Sequence, residues 1–312
     1  MRPSTALPAA TGAAGAAALL YAWGYERKAF RLRRFDVPIL PAGARPLRVL
    51  HVSDLHATPD QEWKVAWVRS LDQLEPDLVI NTGDNLAHHE GVPVALEALG
   101  PLLERPGCFV PGSNDWFAPK PKNPARYLLP RSTKRIHGDR LPWGELRTAF
   151  TDAGWLDLTH RRHRMQLRGM TVELAGVSDA HMKADHYDRI AGPVDSDVEA
   201  AIGLSHTPDP KLIDAFTGDG FRLVLSGHTH GGQLRVPGLG ALVTNCDLPR
   251  RMARGLTRWP PDGWLHVSAG LGTSPYAPVR FACPPEATLL TLVAAGEQST
   301  PRPLDSLGHD GM

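Results

Sequence analysis

The sequence predicts an α/β fold with parallel strands, and two observations carry that prediction. First, short apolar runs alternate with segments of helical apolar spacing, an order typical of parallel βαβ units. Second, polar clusters directly follow the apolar runs, and parallel sheets bind ligands beyond the carboxyl ends of their strands. In the first third of the chain, strands are predicted at 45–52, 78–81 and 108–110, and helices at 61–74 and 94–103.

The second half of the chain is richer in strands. Apolar runs recur evenly from residue 47 to residue 294, and 312 residues with 42% hydrophobic content suffice for one large domain. We therefore expect a single folded domain at 45–295, followed by a disordered polar tail at 296–312. The later strands are predicted at 171–177, 201–204, 221–225, 264–267 and 287–293.

Charge and cysteine content exclude several classes of protein. The net charge is +1, so bulk charge does not indicate a polyanion-binding protein, and no nucleic-acid partner is expected. The three cysteines, Cys108, Cys246 and Cys283, are isolated and show no CxxC spacing. This pattern indicates neither a disulfide framework nor a zinc ribbon, and buried, inert thiols are expected instead.

The N-terminal segment, residues 1–35, differs from the rest. It carries no charge from Pro3 to Tyr25, a length comparable to the roughly 20 residues that cross a bilayer, although Ala and Gly dominate it. A membrane anchor or an export signal is preferred over a disordered leader. A basic flank follows, which by the positive-inside rule predicts a membrane-associated protein whose main domain, at 45–295, is cytoplasmic, and export is the alternative. The flank comprises Arg27, Lys28, Arg31, Arg33 and Arg34.

Five polar clusters follow five predicted strands and supply carboxylate, imidazole or amide groups. Mixed nitrogen and oxygen ligands without thiolate suit Mn, Fe, Co or Zn. Each cluster alone is weak, since a lone Gly-Asp is usually a turn, but the five together predict a metal centre. They are Asp54-x-His56, Gly83-Asp84, Gly112-Ser113-Asn114-Asp115, Ser205-His206-Thr207-Pro208 and Gly227-His228-Thr229-His230.

The order of these clusters resembles the calcineurin-like metallophosphoesterase family, whose pattern is D-x-H, G-D, G-N-H-(D/E), H and G-H-x-H. The resemblance covers about residues 45–295, and the stretches at 226–233, 270–273 and 284–286 are similar to the membrane-associated bacterial branch. It implies a four-layer α/β/β/α sandwich and hydrolysis of a phosphate ester or pyrophosphate bond at a pair of divalent cations. The implied substrate is a phosphate-containing small molecule or lipid.

The resemblance also implies roles for individual residues. Asp54, His56 and His230 would bind the first cation. Asn114, His206 and His228 would bind the second, and Asp84 would bridge the two. Two such ions, about 3.5–4 Å apart, would lower the pKa of an attacking water and neutralise the phosphoryl oxygens.

The third cluster departs from the family pattern. Aligned without a gap, Ser113 takes the place of the ligand Asn, and Asn114 that of the catalytic His. With a one-residue slip, which we prefer because an amide oxygen is the better ligand, Asn114 remains a ligand and Asp115 replaces the His. The expected catalytic residues are then Asp84, Asn114, Asp115 and His206. Two alternatives stay open, a lipid-linked pyrophosphatase of the diacylglucosamine-nucleotide type and a degenerate, non-catalytic metal-binding scaffold.

Two further segments are candidates for contact with the substrate. Residues 119–143 contain seven basic residues against one acidic residue, which fits either a solvated loop or a lid for an anionic substrate. Asp179, His181 and His186 follow a predicted strand and could reach the metal centre, although a structural role is preferred for them.

Overall fold

The computed structural model describes residues 6–121 and 138–296, with side chains described from residue 13 onward. Its helices are α1 (Ala6–Gly24), α2 (Glu62–Ser70), α3 (Gly91–Leu99), α4 (Ser113–Trp116), α5 (Trp143–Asp152) and α6 (Pro210–Gly218). The strands of the first half are β1 (Arg31–Leu40), β2 (Leu47–Val52), β3 (Leu78–Asn81), β4 (Gly107–Phe109), β5 (Leu156–Asp157), β6 (Arg161–Leu167) and β7 (Met170–Gly176). Those of the second half are β8 (Ala200–Leu204), β9 (Leu223–Ser226), β10 (Arg235–Val236), β11 (Gly240–Ala241), β12 (Gly255–Trp259), β13 (Gly263–Val267) and β14 (Glu286–Ala294).

Two six-stranded sheets form the centre of the molecule. The first has the order β1-β14-β2-β3-β4-β5, and β2 to β5 run parallel to one another. The second has the order β12-β13-β9-β8-β7-β6, with four parallel central strands and an antiparallel strand at each edge. The parallel βαβ units predicted from the sequence are therefore confirmed.

Three apolar clusters separate four layers. The first packs α2, α3 and α5 against the first sheet and includes Val68, Ala95 and Leu146. The second lies between the two sheets, where Ile80 of β3 and Ile202 of β8 are both fully buried. The third packs α6 and neighbouring loops against the outer face of the second sheet. Helix, sheet, sheet and helix layers confirm the predicted α/β/β/α sandwich.

The N-terminal segment is continuous with the first sheet. Strand β1 pairs in parallel with β14 from Arg31 to Leu40, and Arg33 forms an ion pair with Glu286. The predicted boundaries, an N-terminal segment ending at residue 35 and a catalytic domain from residue 45, fall within and just after this strand. Part of the basic flank is thus built into the sheet. Within the described residues, no helix combines the length and the hydropathy needed to cross a bilayer.

Candidate metal centre

The predicted ligands converge at the carboxyl ends of the parallel strands. Asp54 and His56 follow β2, Asp84 follows β3, His206 follows β8, and the loop with two histidines follows β9. Left-handed backbone conformations let five of these residues turn inward at the strand ends. Such conformations cost a non-glycine residue about 1–3 kcal/mol each and concentrate at functional sites. The φ angles are 52° at Asp54, 45° at His56, 56° at Asp84, 67° at His228 and 49° at His230.

One group of possible ligand atoms comes from Asp54, His56 and His230, whose atoms lie within 4.8 Å of one another. The Nε2 atoms of His56 and His230 are 3.2 Å apart. Oδ1 of Asp54 is 3.5 Å from Nε2 of His230. These three side chains are the ones that the resemblance assigns to the first cation.

A second group comes from Asp54, Asp84 and His206, again within 4.8 Å of one another. Oδ2 of Asp84 lies 3.4 Å from Nε2 of His206 and 3.7 Å from Nε2 of His56. One carboxylate oxygen therefore faces a histidine of each group. The ring of His228 lies beside this second group, with its centroid 5.2 Å from that of His206.

Backbone carbonyls fix the tautomers of two histidines. Nδ1 of His206 is 2.7 Å from the carbonyl oxygen of Thr82, and Nδ1 of His230 is 3.1 Å from that of Gly272. Because a carbonyl oxygen can only accept, each Nδ1 carries the proton of the neutral ring. The Nε2 atoms are then left with free lone pairs facing the carboxylates, the arrangement that metal-binding histidines use.

The electrostatics of the cluster fit divalent cations. Burial lowers the pKa of His206, but the carboxylates of Asp84, Asp179 and Asp54 outweigh burial and hold the pKa well above its usual value. Burial, and next the neighbouring His230, lowers the pKa of His56 well below the usual range. The raised pKa means that, without a cation, Nε2 of His206 holds a proton facing Asp84, so the carboxylates of the centre favour added positive charge at this position. Divalent cations supply that charge, so the residues present fit a metal centre.

Asp115, which the sequence predicts to be catalytic, is held by backbone hydrogen bonds. It is fully buried, and its Oδ2 accepts hydrogen bonds from the backbone N–H groups of Asp84 and Gly112, at 2.9 and 2.8 Å. Its Oδ1 accepts from the backbone N–H of Asn85 at 2.8 Å. Burial, and next the charge of Asp84, raise the pKa of Asp115 to about 7, and these N–H donors oppose the shift. Asp115 clamps the β3 and β4 loops together, and a role for it in place of the catalytic histidine stays a prediction.

The rest of the third cluster approaches the centre through its backbone. The N–H of Asn114 donates to Oδ1 of Asp84 at 2.7 Å, and Nδ2 of Asn114 donates to the carbonyl of Phe117 at 3.1 Å. Gly112 leaves no room for a side chain, because a Cβ there would collide with Asp84 and His206. The choice between the two alignments of the third cluster stays a prediction. A role for Asn114 as a ligand stays a prediction.

The remaining candidate residues differ in how close they lie to the metal centre. His181 lies at the centre, with its ring 4.8 Å from that of His228, whereas the ring of His186 lies 5.6 Å from that of His160. Asp179 is fully buried behind His206 and accepts a hydrogen bond from Thr207 at 2.6 Å. Most of the basic segment 119–143, from residue 122 to residue 137, lies outside the described residues, as does the tail from residue 297.

Sequence reasoning missed Arg280, the largest fully buried side chain. Its guanidinium donates to the carbonyl oxygens of Ala269, Gly272 and Cys283 at 2.7, 2.7 and 3.1 Å. It thereby holds the loop whose Gly272 carbonyl orients His230. A lone arginine in a Pro-rich stretch gives no signal of this role. Sequence reasoning also missed two buried histidines, His51 and His266, because a single histidine within an apolar strand gives no signal either.

Comparison with known proteins agrees with this geometry. The family model described as calcineurin-like phosphoesterase matches residues 47–232, more than half of the chain. An uncharacterised Bacillus subtilis protein, YpbG, is 29% identical over 80% of this chain and 82% of its own length. The Escherichia coli phosphodiesterase YaeI is 26% identical over 85% of this chain and 88% of its own. The Chlamydia muridarum UDP-2,3-diacylglucosamine pyrophosphatase LpxG is 26% identical over 90% of this chain and 95% of its own. The chain belongs to the calcineurin-like phosphoesterase family and is a hydrolase.

Proposed function

We propose that the chain hydrolyses phosphorus–oxygen bonds at a pair of divalent cations, and that Asp84 holds both of them. The observation that carries the proposal is the position of Oδ2 of Asp84, 3.7 Å from a histidine of the first group and 3.4 Å from His206 of the second. The mixed nitrogen and oxygen donors suit Mn, Fe, Co or Zn.

When bound, two such cations supply Lewis acidity that activates an attacking water and neutralises the phosphoryl oxygens. The side chains hold and orient that pair. Asp54, His56 and His230 would hold one cation, and His206 and His228 the other, with Asn114 as a predicted additional ligand. The carbonyl-fixed rings of His206 and His230 present Nε2 without any need to exchange tautomers.

The third cluster bears on the choice of substrate. The third cluster contains no histidine, its Asp115 is engaged by backbone N–H groups, and neither Ser113 nor Asn114 can donate a proton as an acid. A leaving alkoxide needs a proton in the transition state, whereas a phosphate or a nitrophenolate does not. We therefore propose a preference for pyrophosphate-type or activated ester bonds. His181, beside His228, is the histidine placed to supply an acid if one is used.

A surface next to the centre favours a lipid among phosphate-containing substrates. The large hydrophobic side chains that are exposed within the described part of the chain all lie at the end of α1 or in the loops after His230. Leu239 at the tip of the β10–β11 hairpin is 84% exposed, and Leu20 of α1 is 68% exposed. We name this set the apolar rim: Leu19, Leu20, Tyr21, Trp23, Tyr25, Leu234, Leu239, Leu242 and Tyr276.

Contacts link three members of the apolar rim. The ring of Tyr21 packs edge-on against Phe281 at 6.2 Å, and Phe281 forms a backbone bridge with Leu234. The backbone N–H of Leu242 donates to the carbonyl of Leu234 at 3.3 Å. Leu234 is four residues beyond the candidate ligand His230 in the sequence.

Basic side chains accompany the apolar rim. The guanidinium of Arg27 lies 5.0 Å from the ring of Trp23, and that of Arg250 donates to the carbonyl of Leu242 at 3.1 Å. Exposed Trp and Tyr beside Leu and Arg are the composition of proteins that contact a bilayer interface. We propose that the apolar rim contacts an anionic membrane on its cytoplasmic side and presents the centre to a lipid phosphoester or pyrophosphate. The lipid-linked pyrophosphate alternative thus gains support from this surface and from the relative LpxG.

A panel of substrates tests the chemistry. With Mn²⁺, we expect turnover of bis-p-nitrophenyl phosphate and of a lipid-linked pyrophosphate to exceed turnover of alkyl monoesters. Chelation should abolish all of it. Equal rates on alkyl monoesters and activated esters would contradict the proposed leaving-group limit.

Flotation with vesicles tests the surface. The full-length chain should float with phosphatidylglycerol-containing vesicles, and Leu239→Glu combined with Leu242→Glu should release it. Thr148→Glu, at an exposed position of α5, is the matched control and should float like the wild type. A double variant that floats unchanged would rule out the apolar rim as the contact.

A further inference from the structure

A hydrogen-bonded series of buried polar side chains connects the second sheet to the metal centre. It runs from His266 in β13 through His51 in β2, Thr82 and Ser53 to Asp54, and none of the five is more than 1% exposed. Nδ1 of His266 lies 2.9 Å from Nδ1 of His51, and Nε2 of His51 lies 2.9 Å from Oγ1 of Thr82. Oγ1 of Thr82 is 2.7 Å from Oγ of Ser53, which is 2.6 Å from Oδ2 of Asp54.

The direction of every hydrogen bond follows from Asp54. An ionised carboxylate only accepts, so the hydroxyl of Ser53 donates its single hydrogen to Oδ2. Oγ of Ser53 must then accept from Thr82, since two oxygen lone pairs would otherwise face each other at 2.7 Å. The hydroxyl hydrogen of Thr82 is thereby used, and its Oγ1 must accept from Nε2 of His51.

The same reasoning fixes both imidazoles. Burial, and next the neighbouring His266, lowers the pKa of His51 well below its usual value, so the ring is neutral. With its proton on Nε2, His51 has a bare Nδ1, and Nδ1 of His266 must donate to it at 2.9 Å. Burial, and next Arg33, lower the pKa of His266 to about 3, so His266 is neutral as well and its Nε2 carries no hydrogen.

We propose that this series is a chain of hydrogen bonds in which every group donates towards Asp54. The chain positions Asp54 as a metal ligand, and His51 and His266 are positioning residues. Oδ2 of Asp54 accepts from Ser53 at 2.6 Å and from the backbone N–H of His228 at 3.2 Å, whereas Oδ1 accepts from that N–H alone, at 3.1 Å. Oδ1, which has one donor fewer and lies 3.5 Å from Nε2 of His230, is therefore the oxygen better placed to bind a cation. The proposal rests on the proposed function only in taking Asp54 as a ligand.

The surrounding structure encloses the chain tightly. A Cβ at Gly227, next to the ligand His228, would collide with Ser53 and Asp54, so the β9 loop closes directly over the Ser53–Asp54 link. His51 and His266 belong to different sheets and are 215 residues apart in sequence. Their hydrogen bond therefore couples the packing of the two sheets to the orientation of one carboxylate.

Nuclear magnetic resonance of the metal-free, ¹⁵N-labelled protein tests the direction of the chain without any reference to activity. We expect His51 as the Nε2–H tautomer and His266 as the Nδ1–H tautomer. A scalar coupling should be observed across the hydrogen bond between their Nδ1 atoms. A proton on Nδ1 of His51, or a charged ring at either position at pH 7, would overturn the chain.

Metal binding tests the positioning role. Changes to groups that orient a metal ligand typically weaken binding by about 10- to 100-fold. Titration of the metal-free protein with Mn²⁺ should show such a loss for Ser53→Ala, and a smaller loss, of at least about threefold, for His266→Phe. Thr288→Val is the matched control, because Thr288 is equally buried and pairs with His51 in the sheet but lies outside the chain.

The three variants separate the possible outcomes. An unchanged affinity in both Ser53→Ala and His266→Phe would contradict the positioning role. A loss confined to Ser53→Ala would remove the histidines from the proposal, and an equal loss in Thr288→Val would reduce the effect to general packing. Failure of the proposed reaction, with the tautomers as expected, would leave the chain intact.

Discussion

The clamp formed by Asp115 gives a sharp prediction for Asp115→Asn. The substitution keeps the shape of the side chain but replaces one acceptor oxygen by an NH₂ group. At the Oδ2 position this group would face the backbone N–H groups of Asp84 and Gly112, at 2.9 and 2.8 Å. At the Oδ1 position it would face two donors of Asn85, at 2.8 and 3.2 Å.

Either orientation leaves two buried donors without an acceptor. At about 1–3 kcal/mol for each unsatisfied group, we expect the free energy of unfolding to fall by about 2–6 kcal/mol. Urea denaturation of the metal-free protein measures this loss, with Asp152→Asn at an exposed position of α5 as the control. Because the clamped loop carries Asp84, Mn²⁺ affinity should fall as well. A loss below about 1 kcal/mol, no larger than a typical surface substitution, would refute the clamp.

Three further predictions concern the leaving group, the buried arginine and pH. Asn114→His should raise turnover of alkyl monoesters by at least about tenfold, because general acid catalysis typically contributes 10²–10⁴-fold. Ser113→Asn alone is the control and should not raise it. An equal gain on nitrophenyl esters would contradict the proposed leaving-group limit. Arg280→Lys should leave a buried carbonyl oxygen without its donor and lower the free energy of unfolding by at least about 1–3 kcal/mol. Arg222→Lys, at an exposed position, is the control and should cause no change. Burial lowers the pKa of His266 to about 3 in the folded state, so below pH 6.5 the unfolded chain binds a proton that the folded chain excludes. His266 therefore contributes a fall in stability of about 1.4 kcal/mol per pH unit on acidification between pH 6 and 4. Urea denaturation of His266→Phe should show a shallower slope over this range, and parallel slopes would contradict the assignment.

The parts of the fold that could be predicted from the sequence are those with a local signal. The central strands are short apolar runs that end in Gly, Ser or Asp, and β3 at Leu78–Asn81 was located to the residue. Strand β1 was missed, because its Arg residues alternate with Leu32 and Phe35 and looked like the basic flank of an apolar segment. Its place in the sheet depends on pairing with β14, more than 250 residues away, and no local pattern reports that contact.

In the candidate site, too, only the residues with a local sequence signal could be predicted. Asp54, His56, Asp84, His206 and His230 each follow a strand, so a pattern of strand ends suffices to nominate them, and the structure brings their side chains together. The groups that orient them leave no such pattern. Asp115 acts by accepting from backbone N–H groups, and Arg280 by donating to carbonyls. His51 and His266 meet only because two sheets pack face to face.

The most direct test of the account is the metal content of the active protein combined with the Asp84→Ala variant. Mass spectrometry of the purified, active chain should find two divalent cations per molecule. Removing them with a chelator should abolish hydrolysis of bis-p-nitrophenyl phosphate, and adding Mn²⁺ should restore it. Asp84→Ala should lose both cations and nearly all activity, because its carboxylate faces a histidine of each group. Full activity in a sample without stoichiometric divalent metal, unaffected by chelators, would contradict the account.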